Sequence, residues 1–201
     1  MNEIGAPPYP QPWPTDERYD PELLSNGDQR NVLDKYRYWK VAFIKADLDS
    51  TRFPLEIAIE NVSRDFNMGT IVRTANALNV NKVHIIGKRQ WNKRGAMVTD
   101  HYMNIEYHET VRAFVAVMEH TKKIILAIDI LPNATPLTKA ELPHNSVLVF
   151  GSEKEGLSQA LQAASKEVIH IEQFGSTRSV NVGVAAGIVM YEWARRNVLT
   201  R

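Results

Sequence analysis

Hydrophobic and polar positions divide the chain into stretches of different character. From Asp28, the residues Val32, Leu33, Tyr36, Trp39, Phe43 and Ile44 recur at three- and four-residue steps. That spacing predicts a helix with one broad apolar face over residues 28–50. Beyond Pro54, short apolar runs alternate with helical patterns. Strands are predicted at 55–59, 82–86, 123–128, 146–150 and 168–171, and helices at 70–78, 111–120, 158–164 and 181–197. Short apolar strands separated by helices predict an α/β fold, a mostly parallel sheet flanked by helices. No repeat at solenoid or propeller period interrupts the pattern.

The first 27 residues read differently. Six of the ten prolines fall in the first 21 positions: Pro7, Pro8, Pro10, Pro12, Pro14 and Pro21. Proline fixes φ and removes a donor, so this stretch is expected to be an extended arm of polyproline type rather than a helix. Two readings of the arm stand side by side: a mobile tail, or a segment docked on a folded surface through Tyr9, Trp13 and Tyr19. The expected organisation is thus an arm over 1–27, a helical extension over 28–50 and a main domain over 51–201.

Composition narrows the chemistry. A chain of 201 residues with 44% hydrophobic content can bury one sizeable core. The absence of Cys excludes a disulfide framework, a thiolate zinc site and a catalytic cysteine. The longest apolar runs, Ile124 to Ile128 and Val147 to Phe150, are far shorter than the ~20 residues of a spanning helix. The N-terminus has no basic start followed by an apolar stretch. A cytoplasmic protein with no membrane partner is the expectation. G-x-G-x-x-G, the P-loop pattern and G-x-S-x-G are all absent. The six histidines, at 84, 101, 108, 120, 144 and 170, lack tight ligand spacing and read as ordinary surface or core residues, so no metal is expected.

Three segments carry candidate chemistry. Residues 60–75 take a strand through a polar loop into a helix, with Asn67 and Arg73 straddling the helix start. An Arg at the carboxyl end of a strand can fork onto a phosphate. Residues 147–158 run a buried strand into a charged loop bracketed by Gly151 and Gly156, where backbone can approach a ligand closely, with Ser158 as a helix cap. Residues 171–187 pass through a small polar loop into a helix rich in Gly and Ala. Each segment alone is as well explained by a turn, a cap or tight packing.

Together, in the order N-x-x-x-x-x-N-x-G-x-x-x-R-T, F-G-x-E-x-x-G-L and S-x-N-V-x-x-A-A, they resemble the three motifs of the SPOUT class of RNA methyltransferases. The resemblance is to its ribose 2′-O-methyltransferase (TrmH/SpoU-like) branch, and it covers roughly residues 55–197. It implies an α/β fold with a C-terminal deep trefoil knot, S-adenosylmethionine as cofactor, a homodimer, and RNA as substrate, tRNA slightly favoured over rRNA. Cofactor-binding positions implied are Phe150, Gly151, Ser152, Gly156, Ile171, Phe174, Ser179 and Val180. Catalytic positions implied are Arg73, Asn67, Glu153, Ser179 and Asn181. Arg73 would bind the neighbouring phosphate and polarise the 2′-oxygen, since guanidinium stays protonated. Asn67 would orient Arg73 or the ribose, Ser179 and Asn181 would position the hydroxyl, and Glu153 would fix the loops or the arginine. Tyr191 and Trp193 on the last helix would serve a dimer surface. Two other readings remain: a catalytically silent RNA-binding protein of this fold, and a base-directed methyltransferase.

The net charge of +1, from 24 basic and 23 acidic residues, first argues against an RNA partner. Its distribution reverses that. Between Phe66 and Thr99 lie six basic residues and no acidic ones, leaving 18 basic and 23 acidic elsewhere. Phosphate contacts need a local basic face, not a high total charge. The candidate RNA contacts are Lys88, Arg89, Lys93 and Arg94, with Arg178 as an additional phosphate contact or a solvent-facing charge. Trp91 is either a stacking ring for a base or a packed loop aromatic.

Overall fold

A computed structural model describes residues 5–61, 67–152 and 156–200. The chain divides into two compact units, Met1–Thr51 and Arg52–Arg201.

In the first unit the arm is not extended throughout. Residues Pro21–Asn26 form helix α1, with Pro21 at its first position, where a missing N–H costs nothing. The Asp20 carboxylate caps it, accepting from Glu22 N at 3.0 Å. The single helix expected over 28–50 is also corrected. A 3-10 turn Asp34–Tyr36 and helix α2, Val41–Asp49, are separated by Tyr38 at φ 63°. The cause is Asp28, whose buried carboxylate accepts from Arg30 Nε and Nη2 and from Tyr38 N, holding residues 28–38 as a loop. Tyr9 packs edge-on against Tyr38, whose hydroxyl donates to Pro7 O, so the arm is docked within its own unit.

The second unit runs β1 Phe53–Asn61, α3 Asn67–Ala77, β2 Val80–Gly87, β3 Ile105–His108, α4 Val111–His120, β4 Ile124–Ile128, β5 Thr135–Pro136, β6 Ser146–Phe150, α5 Gln159–Ala164, β7 Glu167–His170 and α6 Val182–Ala194. A π-helical turn, Arg195–Leu199, follows α6. Among the described residues the strands form one seven-stranded sheet, ordered β3-β2-β1-β6-β4-β7-β5, and every pairing is parallel. Strands β3 and β5 escape the sequence pattern. One is a four-residue edge with three titratable positions, Glu106, Tyr107 and His108, and the other is two residues long and contains Pro136, which an edge strand tolerates.

Helices cover both faces, which is why the central strands are apolar without alternation. Leu55, Ile57 and Ile59 of β1 pack with Ile71 of α3 and Val189 and Trp193 of α6. Ala58 packs on the opposite face with Phe114 of α4 and Leu161 of α5. Each fully buried large apolar side chain contributes roughly 1.5–3 kcal/mol. Trp193, expected at a dimer surface, belongs to this core: it is 1% exposed, and its Nε1 donates to Pro143 O.

The face under α4 also buries charge. Glu56 accepts from Asn81 Nδ2 at 2.8 Å, lies 2.9 Å from His84 Nε2 and pairs with Lys123 at 3.1 Å. Burial works to raise its pKa, but the His84 bond, the Lys123 charge and the Asn81 bond outweigh it and hold it at about 2. Burial, and next the His84 ring beside it, push His108 below the usual imidazole value.

Candidate active site

Strands β1 and β6 are neighbours, and the chain builds outward from them in both directions. Open α/β sheets bind ligands at such a switch point, outside the carboxyl ends of the strands. A cavity of about 280 Å³ lies beside it, outside the carboxyl ends of β4, β6 and β7. Ile128, Asp129 and Ile130 line it from the end of β4, and Phe150, Gly151, Ser152 and Gly156 from the end of β6. His170, Ile171 and Gln173 follow from β7, and Ser179, Val180, Asn181, Val182 and Ala185 from the entry to α6.

Backbone forms much of this wall. A Cβ on Gly151 would lie 2.2 Å from Gly156 C and 2.4 Å from Leu157 N, so no side chain fits. Gly156 sits at φ +66°, where L side chains are strained. Ser152 and Gly156 exchange two backbone hydrogen bonds. Two carboxylates hold the residues that follow Gly156. Asp129 Oδ2 accepts from Leu157 N at 3.0 Å, and Glu60 Oε2 accepts from Ser158 N at 2.9 Å. Ser158 caps α5, as its type predicts.

The third segment meets the first. Asn181 is the N-cap of α6, its Oδ1 accepting from Gly183 N and Val184 N at 3.0 and 3.3 Å. Its Nδ2 donates to Asn67 Oδ1 at 2.8 Å. The small residues of α6 admit α3: a Cβ on Gly183 would lie 3.1 Å from Thr70 Cγ2, and one on Gly187 3.8 Å from Thr74 Cγ2. Arg73, between those threonines in sequence, is exposed on α3. Asn67, Ser152 and Val182 together line a narrow gap beside the main cavity.

The basic segment is fastened to the same helix start. Asn61 Nδ2 donates to Lys88 O and Gln90 O at 2.5 and 3.1 Å. The 3-10 turn Arg94–Ala96 lies so close to α3 that a Cβ on Gly69 would be 2.6 Å from Ala96 N. Lys88, Arg89, Lys93 and Arg94 are exposed. Arg89 lies over the Tyr107 ring at 4.9 Å, and Lys93 pairs with Asp100 at 2.8 Å.

Several expected positions fall elsewhere. Trp91 is 9% exposed and packs in the core with its Nε1 3.4 Å from Tyr107 Oη, so its ring is not offered to a base. Phe174 is 97% exposed and is not among the residues lining the cavity. Arg178 is exposed in the loop before α6. Glu153 lies outside the described residues. Asp129, Gln173 and the positioning carboxylate Glu60 were missed by sequence reasoning. An Asp directly after the buried run Ile124–Ile128 was the available signal for the first.

The residues fit an amphipathic cofactor such as S-adenosylmethionine. Glycine backbone leaves room against the wall, Ile128, Phe150, Ile171 and Val182 offer apolar surface, and Asp129 and Ser179 offer polar groups.

A family model of SpoU rRNA methylases matches residues 54–191. The tRNA (guanosine(18)-2′-O)-methyltransferase of Escherichia coli (strain K12) is 28% identical over 145 residues, covering 71% of this chain and 63% of that protein. The chain therefore spans about 63% of that curated relative's length. The crystal structure of the A. aeolicus TrmH/SpoU tRNA modifying enzyme superposes with a TM-score of 0.70 at 23% identity, covering 80% of this chain and 83% of that one. The SpoU methyltransferase AviRb from Streptomyces viridochromogenes, solved with its cofactor AdoMet, superposes with a TM-score of 0.67 at 18% identity, covering 76% and 64%. The family match takes in all three loops that build the cavity, and the chain belongs to the SpoU rRNA Methylase family.

Proposed function

We propose that this chain is an S-adenosylmethionine-dependent RNA methyltransferase that acts on a ribose 2′-hydroxyl of structured RNA, with tRNA slightly favoured over rRNA. One observation carries the reading: Asn181, at the cavity wall, is hydrogen-bonded to Asn67 on the helix that also carries the exposed Arg73. The family description names rRNA and the Escherichia coli relative acts on tRNA, so both substrate classes are represented.

When bound, the cofactor supplies an activated methyl on its sulfonium. The chain supplies binding and orientation. Gly151 and Gly156 keep the wall open, while Asp129 and Glu60 hold the residues that follow Gly156. Among the described residues the Arg73 guanidinium has no side-chain partner, which leaves it to grip the phosphate beside the target ribose and polarise the 2′-oxygen. Ser179 positions the hydroxyl from the cavity wall. Lys88, Arg89 and Arg94 hold the RNA backbone next to this point.

The same proposal includes the deep trefoil knot. Its support is a sheet in which β6 is inserted between β1 and β4, and β7 between β4 and β5, before the chain returns to α3 through α6. It also includes a homodimer, supported by exposed Val184, Ile188 and Tyr191 along α6. A cytoplasmic location is part of the same proposal. Nucleoside mass spectrometry of tRNA and rRNA treated with protein and S-adenosylmethionine tests the reaction. A methylated ribose on an unmodified base is expected, a methylated base would move the activity to the base-directed class, and no methylation would leave a silent RNA-binding protein.

A further inference from the structure

Far along the sheet from the β4, β6 and β7 loops, three metal-ligating side chains meet on the face under α4. His84 stands on β2, and Glu106 and His108 stand on β3, where His84 is the register partner of Glu106. One ligand atom from each lies within 4.8 Å of the other two. His84 Nδ1 and His108 Nε2 are 2.8 Å apart, and Glu106 Oε1 is 3.8 Å from His108 Nε2. Both rings are buried, and Phe114 packs edge-on against each of them. The Glu106 side chain is 36% exposed and gives the cluster a path to solvent.

The other nitrogen of His84 is committed. Nε2 lies 2.9 Å from Glu56 Oε2, and Glu56 pairs with Lys123. A carboxylate there keeps the proton on Nε2 and turns the Nδ1 lone pair towards His108 and Glu106. Metal-bound histidines are oriented in this way by a carboxylate on their far nitrogen. Lys82 takes one oxygen of Glu106, Oε2 at 2.6 Å, and leaves Oε1 facing the rings.

Geometry and ligand type select the ion. Two nitrogens bound tetrahedrally at about 2.0–2.1 Å stand about 3.3 Å apart, so the rings must part by roughly 0.5 Å. His108 lies on the edge strand, where such a shift meets a neighbour on one side only. Two imidazoles and one carboxylate suit zinc-like ions rather than Ca²⁺ or Mg²⁺, and leave a fourth position for water. The histidine spacing in the sequence hides this because the two rings are 24 residues apart and meet only through strand pairing.

We propose that His84, His108 and Glu106 bind a divalent transition-metal ion of the zinc class, with Glu56 orienting His84. A bound ion would tie edge strand β3 to β2, and β3 carries Tyr107, against which Arg89 of the basic segment lies.

The test uses the full chain, stripped of metal by a chelator and titrated with Zn²⁺ alone and, separately, Co²⁺ alone. One equivalent of each is expected, with the visible absorption of tetrahedral Co²⁺. Glu106→Gln and His108→Leu should each weaken binding at least tenfold, and Glu56→Gln by roughly 10–100-fold. Failure of the wild-type chain to take up zinc, or equal binding by the folded variants, overturns the site. Should the variants unfold, an anomalous difference map of wild-type crystals grown with Zn²⁺ decides. A peak between His84 Nδ1 and His108 Nε2 supports the site, and peaks only elsewhere overturn it.

Discussion

Asn181 Nδ2 donates to Asn67 Oδ1 at 2.8 Å, joining the starts of α6 and α3 across 114 residues of sequence. The other end of the same amide caps α6 through Gly183 N and Val184 N. Each half of the side chain therefore has its own task. Asn181→Asp keeps the capping oxygen and removes the donor. The expected result is a fold that melts near the wild-type temperature and cofactor affinity within a few-fold. Methyl transfer should fall about tenfold or more, the loss equivalent to one hydrogen bond of roughly 1.4 kcal/mol. Single-turnover assays beside calorimetry separate the two effects.

Gly151 faces backbone, so its replacement cannot be absorbed by a side-chain rotation. Gly151→Ala sets a methyl 2.2 Å from Gly156 C and forces the loop to move. Overpacking of this kind costs about 1–3 kcal/mol. Calorimetry should show cofactor binding reduced at least tenfold, while Gly175→Ala, with nothing within 4 Å, should bind as wild type does.

The exposed cations of the basic segment predict a salt signature. Replacing Lys88, Arg89 and Arg94 together by Ala should weaken RNA binding and lower the slope of log affinity against log salt by about 0.7–0.9 for each phosphate no longer neutralised. Lys93→Ala should do less, because Asp100 already neutralises that charge. Filter binding over a range of salt concentrations measures both slopes. Cofactor affinity should be unchanged in every variant.

Glu192 links α6 to its π-helical end. It pairs with Arg195 at 2.7 Å and Arg196 at 2.6 Å, and Arg196 donates onward to Ala140 O and Leu137 O. The Arg195 bond first, and the Arg196 bond and charges against a smaller opposing effect of burial, hold Glu192 at about 2, below its ordinary 4.5. A depressed carboxylate stabilises the fold above pH 4.5, and that contribution is lost as pH falls from 4.5 through about 2. Solvent around half-exposed Arg195 screens the pair, so its worth is about 1 kcal/mol. Thermal unfolding against pH should show Glu192→Gln less stable than wild type at neutral pH, with the two curves converging below pH 4.5.

Much of this molecule was legible in the chain because local rules governed it. The β6 strand and α4 helix have the predicted bounds, 146–150 and 111–120. Buried apolar runs and a Thr110 cap leave little choice there. The loops of Gly151, Ser179 and Asn181 were legible as motifs, since a backbone-lined wall demands glycine. What escaped depends on specific side-chain partners that no periodicity announces. Asp28 breaks the expected helix over 28–50 only because Arg30 and Tyr38 fold back onto its carboxylate. Sequence leaves Trp91 open between a stacking ring and a packed aromatic, and Tyr107, sixteen positions on, decides for the packed one. Asp129 and Glu60 gain their roles from backbone N–H groups of a loop brought to them by the sheet.

Arg73 carries the central claim, that this fold transfers methyl to ribose and not only binds RNA. The most direct measurement is nucleoside mass spectrometry on RNA incubated with S-adenosylmethionine and either the wild-type chain or Arg73→Ala. 2′-O-methylated nucleosides are expected with the wild type. With Arg73→Ala the expected loss is at least a hundredfold, a barrier rise of about 2.7 kcal/mol, while calorimetry shows the cofactor still bound. Equal methylation by the two proteins, or none by the wild type with cofactor bound, would contradict that claim.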